Sequence, residues 1–206
     1  MAQVSDQTPV PLEVPVADAE PRVRADAERN REKVLCAARQ LFTEQGIENV
    51  SMDAIAAAAG VGKGTLFRRF GDRAGLALAL LEEHTRQLQE DAIRGPAPLG
   101  PGAPPQERLK AIARAQIGLL DEHADLMATA ESGPRARFQT GPYSFLRLHI
   151  SLLVREADPA ADWELVTEFL LAPLGADSYL YCRNVRGFDV ERMVSAFDDL
   201  VERVLP

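Results

Sequence analysis

Ser51-Met52-Asp53-Ala54-Ile55-Ala56-Ala57-Ala58-Ala59-Gly60-Val61-Gly62-Lys63-Gly64-Thr65-Leu66-Phe67-Arg68-Arg69-Phe70 is the stretch that decides the fold of this 206-residue chain. Ser51 stands at an N-cap position, with Asp53 in the first turn, where a negative charge suits the helix dipole. The alanine-rich helix they open runs to Ala59, and Gly60-Val61-Gly62 breaks it. A second short helix starts near Lys63 and ends by Phe70-Gly71. Two short helices crossing steeply need a small residue where they touch, which Ala56 supplies, and a positive φ in the turn, which Gly60 supplies four residues later. Ile55, Val61, Leu66 and Phe70 are the apolar anchors that tuck the pair onto a preceding helix. The pattern is that of a helix-turn-helix.

Outward on the N-terminal side, Val34, Leu35, Ala38, Leu41 and Phe42 recur at helical spacing from Ala25 onward, and Gly46 is a natural stop. On the C-terminal side a longer helix follows from about Asp72 to Ile93, with Leu76, Leu80 and Leu81 on its apolar side. The free face of the second short helix carries Lys63, Thr65, Arg68 and Arg69. Such a helix enters the major groove of double-stranded DNA N-terminus first: Gly64 admits close backbone approach, and Thr65 meets a base edge or a thymine methyl. Ser51 and the amides around it are phosphate donors. Arg22 and Arg24 precede the first helix and serve either as a phosphate or minor-groove arm or simply as a solubilising one.

Residues 29–76 resemble the DNA-binding domain of the TetR/AcrR family of bacterial transcriptional regulators. The resemblance rests on Ala37-Ala38-Arg39-Gln40-Leu41-Phe42 before Gly46, on Ser51 to Ala56, and on Ala59 to Phe70, about a quarter of the chain. It implies that Lys63, Gly64 and Thr65 work near bases, and that Ser51, Phe67, Arg69 and Arg73 meet the DNA backbone. Two positions depart from the family's pattern. Phe67 replaces a usual tyrosine, which removes a hydroxyl-to-phosphate bond, and Arg69 replaces a common histidine, which adds a permanent cation.

The net charge of −8 hides an uneven distribution. Residues 1–20 carry −4, residues 21–73 carry +3 and residues 74–206 carry −7. A basic reader on an acidic body holds a phosphate backbone while the body limits indiscriminate sticking. The expected organisation is a disordered acidic, proline-containing tail over 1–21, a three-helix DNA-binding domain over 22–73, and an effector-binding and dimerisation domain over 74–206. The fold class is all-α, with no convincing strand alternation and no internal repeat.

Beyond residue 94, Gly95 to Pro105 reads as a mobile surface loop, followed by a helical period from Leu109 to Leu120. Tyr143 to Ala157 reads as another helix. Trp163 to about Arg183 reads as one long helix, and Asp189 to Leu205 as the last. One reader covers only a half-site, so a homodimer is expected, paired as a four-helix bundle through helices 163–183 and 189–205. Met127, Phe138, Tyr143, Phe145, His149 and Trp163 are the candidate pocket for a small hydrophobic effector, each also readable as ordinary core. Effector binding is expected to shift the 72–93 helix and so the spacing of paired readers.

Other classes are disfavoured. His84, His123 and His149 are scattered without metal spacing, so no metal and no cofactor is expected. Gly60-x-Gly62-x-Gly64 follows a helix rather than a strand, and no nucleophile elbow is present, so the chain does not read as an enzyme. Cys36 and Cys182 form no CxxC pair and suit a reducing compartment. The first twenty residues lack the charge and apolar run of a secretory signal, and no membrane-spanning stretch is seen, so the cytoplasm is expected. The expected function is a ligand-released repressor on a palindromic operator. The alternative is a degenerate relative that binds proteins or ligands without DNA.

Overall fold

The computed structural model describes residues 19–133 and 135–205, with side chains from residue 26 onward. The tail expected over 1–21 falls, up to residue 18, outside the described residues, as do the side chains of Arg22 and Arg24. Nine α-helices follow one another among the described residues, without a strand. They are α1 (Ala19–Gln45), α2 (Met52–Ala59), α3 (Lys63–Phe70), α4 (Arg73–Arg94), α5 (Pro105–Ala130), α6 (Gly141–Ala157), α7 (Trp163–Leu171), α8 (Ala176–Leu180) and α9 (Val190–Val204).

Local chemistry sets the ends of these helices. Ser51 Oγ accepts the Ala54 N–H at 3.1 Å, Asp72 Oδ1 the Gly75 N–H at 2.9 Å, and Asp189 Oδ1 the Arg192 N–H at 2.7 Å, each satisfying a first-turn donor. Gly60 closes α2 in the left-handed region, φ 65° and ψ 32°, where a Cβ is strained. α1 opens at Ala19, upstream of the Ala25 expected; Pro21 sits in its first turn, where a missing N–H costs nothing.

Two apolar cores are joined by α4. In the first, Val34, Ala38 and Phe42 of α1 meet Ile55, Ala56, Leu66 and Phe70, together with Leu76 and Leu80 of α4. In the second, Ala77, Leu81 and Ala92 of the same helix meet the body formed by α5 to α9. One helix thus buries two neighbouring stripes of its surface, one in each core, and joins them.

Two expectations are revised. The single long helix over 163–183 does not form: α7 stops at Leu171, a 3₁₀ turn spans Ala172–Leu174, α8 is five residues long, and Tyr181–Val185 is a π turn. Pro173 has no N–H to continue α7. Arg137 donates to the Leu171 carbonyl at 2.6 Å, and a Cβ on Gly175 would meet that guanidinium at 2.2 Å. The segment between α4 and α5 is irregular as expected, but it is folded down onto the body. Leu99 packs against the body core, Gly100 is buried, and its N–H donates to the Pro96 carbonyl at 2.9 Å.

Candidate nucleic-acid interface

α3 is held by Leu66 and Phe70, which are buried against α1 and α4. At about 100° per residue, that places Gly64 and Arg68 on the opposite, outward line. Thr65 and Phe67 flank that line at about 80° to either side, whereas Lys63 and Arg69 stand about 120° round from it, toward the half of the helix that is buried. Gly62 caps α3 without a side-chain bond; its carbonyl accepts the Thr65 N–H at 2.9 Å, which leaves the Lys63 and Gly64 N–H groups for an external acceptor. A Cβ on Gly64 would meet nothing within 4 Å, so the surface there is open to close approach. Phe67 is 45% exposed, a large apolar ring on a face otherwise polar. Of the sequence-predicted residues of α3, Gly64, Thr65, Phe67 and Arg68 are therefore brought together on one surface, while Lys63 and Arg69 reach it only from the sides.

Three of the predicted cations already have partners. Lys63 Nζ pairs with Asp53 of α2. Arg69 donates to the Ala27 carbonyl of α1 at 2.9 Å and lies 3.3 Å from Glu28. Arg73 donates to the Val50 carbonyl at 2.7 Å and lies 3.7 Å from Glu48. Arg69 and Arg73 thus fasten α3 and α4 to neighbouring segments as well as adding positive charge to the face. Sequence reasoning missed Asp53, Glu28 and Glu48, because their pairing joins residues up to 41 positions apart and carries no local signal.

None of the six residues proposed for an effector lines the three cavities described below. Met127 and Tyr143 are buried in the body core, and Phe138 is exposed with its ring edge-on to Tyr143 at 5.2 Å. The Tyr143 hydroxyl donates to Glu168 at 2.7 Å. Phe145 stacks on His149 at 5.5 Å, and Trp163 packs on the core from its edge. The cavities described are lined elsewhere: about 570 Å³ between α1, α4, α5 and the end of α8, about 500 Å³ between α1 and α3, and about 370 Å³ between α5, α8 and α9.

His149 is buried, and its Nε2 has no hydrogen-bond partner. Desolvation, and then the nearby Arg108 charge, push its pKa down to about 4. The unfolded chain, with an ordinary imidazole near pH 6.5, therefore takes up the proton first, so this contribution is level above pH 6.5 and costs about 1.4 kcal/mol per pH unit from there down to about 4. Between pH 7 and pH 5, urea unfolding is expected to show wild type losing about 2 kcal/mol more than His149→Gln. An equal loss in both would remove His149 as the cause.

Among the described residues no cluster of three or more His, Cys, Asp or Glu could hold a metal, and no helix is long and apolar enough to cross a membrane.

Residues 34–80 match the family described as bacterial regulatory proteins, tetR family. An HTH-type transcriptional regulator of Staphylococcus aureus (strain USA300) is 37% identical over 76 residues, which cover 34% of this chain and 41% of the relative. The chain thus spans about two fifths of the length of the curated relatives it matches. The fold extends further. NalD, the secondary repressor of the MexAB-OprM multidrug efflux pump in Pseudomonas aeruginosa, superposes with a TM-score of 0.57 at 20% identity over 87% of this chain and 98% of its own. A putative transcriptional regulator from Saccharomonospora viridis in complex with choline gives 0.62 at 20% identity, over 85% of this chain and 96% of that one. The regulator FadR from Bacillus subtilis, in complex with stearoyl-CoA, gives 0.61 at 16% identity, over 82% and 96%.

Proposed function

We propose, from the match of residues 34–80 to the tetR family of bacterial regulatory proteins, that the chain is a ligand-responsive transcriptional repressor of that family. It binds a palindromic operator as a homodimer in the cytoplasm, does no catalysis, and is released by a small hydrophobic effector held in the body. The observation that carries this reading is the outward face of α3, with Gly64 and Arg68 at its centre and an uncapped N-terminus at its tip. In this reading residues 22–73 are the reader and 74–206 the effector and dimer domain. Ser51, Lys63, Gly64, Thr65, Phe67, Arg68, Arg69 and Arg73 meet DNA, with Arg22 and Arg24 extending the contact. The solved relatives seen with stearoyl-CoA and with choline support a body that accepts small molecules.

Dimerisation is supported by apolar groups left in solvent on the last helices. Leu165 and Phe169 lie four apart on α7, the latter 65% exposed, and Leu200 and Val204 repeat the spacing on α9. Leu148 and Leu152 of α6 extend the surface. Exposed apolar area of this kind is what a second copy covers.

The test is a gel-shift titration against the DNA flanking the coding region, with molar mass measured in parallel. Wild type is expected to be a dimer that shifts an inverted-repeat fragment, with affinity falling steeply as salt rises. Phe169→Glu is expected to halve the mass and weaken the shift, since each half-site then binds alone. A dimer that shifts no such fragment would favour the reading in which the chain binds partners without DNA.

A further inference from the structure

The cleft of about 570 Å³ lies between the N-terminal core and the body, away from the outward face of α3 and from the six residues proposed for the effector. Phe42 of α1, Leu80 and Leu81 of α4, and Leu126 of α5 supply its apolar wall. Domain junctions of this size and mixed lining are where small molecules commonly bind.

Its polar side is unusual in two respects. The rings of His84 from α4 and His123 from α5 lie 4.4 Å apart, inclined by 53°. His123 also leaves helical geometry, at φ −138° and ψ 22°, so that α5 kinks at the cleft. Its Nε2 is buried without a hydrogen-bond partner; the nearest carboxylate oxygen, on Glu122, is 3.7 Å away, beyond bonding range. Burial, followed by the neighbouring His84 charge, lowers the His123 pKa, so the ring is neutral near pH 7 and adds no positive charge to the cleft.

The charges decide the sign of a ligand. Asp121, Glu122 and Asp125 line the α5 side, against Arg39 of α1 and Arg183 beyond α8. Arg183 is already committed: it lies 3.6 Å from Asp121 and donates to the Phe188 carbonyl at 2.9 Å. Asp121 also accepts the Tyr179 hydroxyl. That leaves the exposed Glu122 and Asp125 facing Arg39, an excess of one negative charge along the open edge of the cleft.

We propose that this junction cleft is a second small-molecule site, selective for an organic monocation with an apolar body. The cationic group lies along the Glu122–Asp125 edge beside the two imidazoles, and the apolar part lies on Phe42, Leu80 and Leu126. Because α1 and α5 hold the same ligand, its occupancy fastens the N-terminal core to the body. The consequence for DNA rests on the reading above, whereas the binding does not.

Calorimetry on the full chain without DNA tests it, using tetraphenylphosphonium and tetraphenylborate, which share a shape and differ in charge. The phosphonium is expected to bind one to one, and the borate not at all. Glu122→Gln with Asp125→Asn, both exposed positions, is expected to weaken the phosphonium about tenfold, which is the effect of about 1.4 kcal/mol of lost attraction. Thr43→Trp, which fills the mouth from the exposed side of α1, is expected to abolish binding. Absence of phosphonium binding, equal binding of the borate, or phosphonium affinity unchanged in both variants would each overturn the site. Operator binding, measured separately without the cation, fails or holds independently of all three.

Discussion

Ile55→Ala is expected to lower the stability of the N-terminal core by about 2–5 kcal/mol, the range for removing a buried aliphatic side chain and leaving a cavity. Ile55 is 0% exposed and belongs to the cluster in which α2 meets Val34, Ala38 and Phe42 of α1 and Leu66 and Phe70 of α3. Its loss removes contacts on several helices at once, and helices of eight residues have too little intrinsic stability to hold their places without them. The measurement is urea unfolding followed by circular dichroism, with Ala57→Ser, on the exposed side of the same helix, as a control expected to stay within about 0.5 kcal/mol of wild type. A difference between the two variants below 1 kcal/mol would contradict the packing described.

Lys63→Ala is expected to act on DNA rather than on the fold. Lys63 is well exposed, and its pair with Asp53 joins two exposed groups, worth about 0–1 kcal/mol, so the unfolding midpoint is expected to move little. DNA affinity is expected to fall about 5- to 150-fold, the effect of about 1–3 kcal/mol for a lost base or phosphate contact. If the lost contact is to phosphate, the slope of log affinity against log salt falls by about 0.9. Asp53→Asn is expected to change affinity the other way, because it frees the ammonium from a competing carboxylate. Equal affinity in wild type, Lys63→Ala and Asp53→Asn would remove Lys63 from the interface.

Most of the helical order was legible along the chain because its signals are local. Caps at Ser51, Asp72 and Asp189, the glycine at 60 and the period of Val34, Ala38 and Phe42 each act within one or two turns. The break inside 163–183 was legible too, at Pro173 and Gly175, but the strong apolar pattern on either side masked it. The candidate pocket was the least legible part. Phe138, Tyr143, Phe145, His149 and Trp163 share an aromatic or polar character, and periodicity cannot tell a wall of a cavity from a filled core.

By itself the sequence determined that this protein carries a helix-turn-helix with a basic outward face on a helical, acidic body, because helix ends, turn glycines and apolar periods are encoded within a few residues of where they act. Only the tertiary structure decided how Lys63, Arg69 and Arg73 are held, that α4 is shared by two cores, and that a cleft with two imidazoles opens where they meet. Those features depend on residues far apart in the chain being brought within a few ångströms, and no spacing along the sequence records which distant partner a side chain will find.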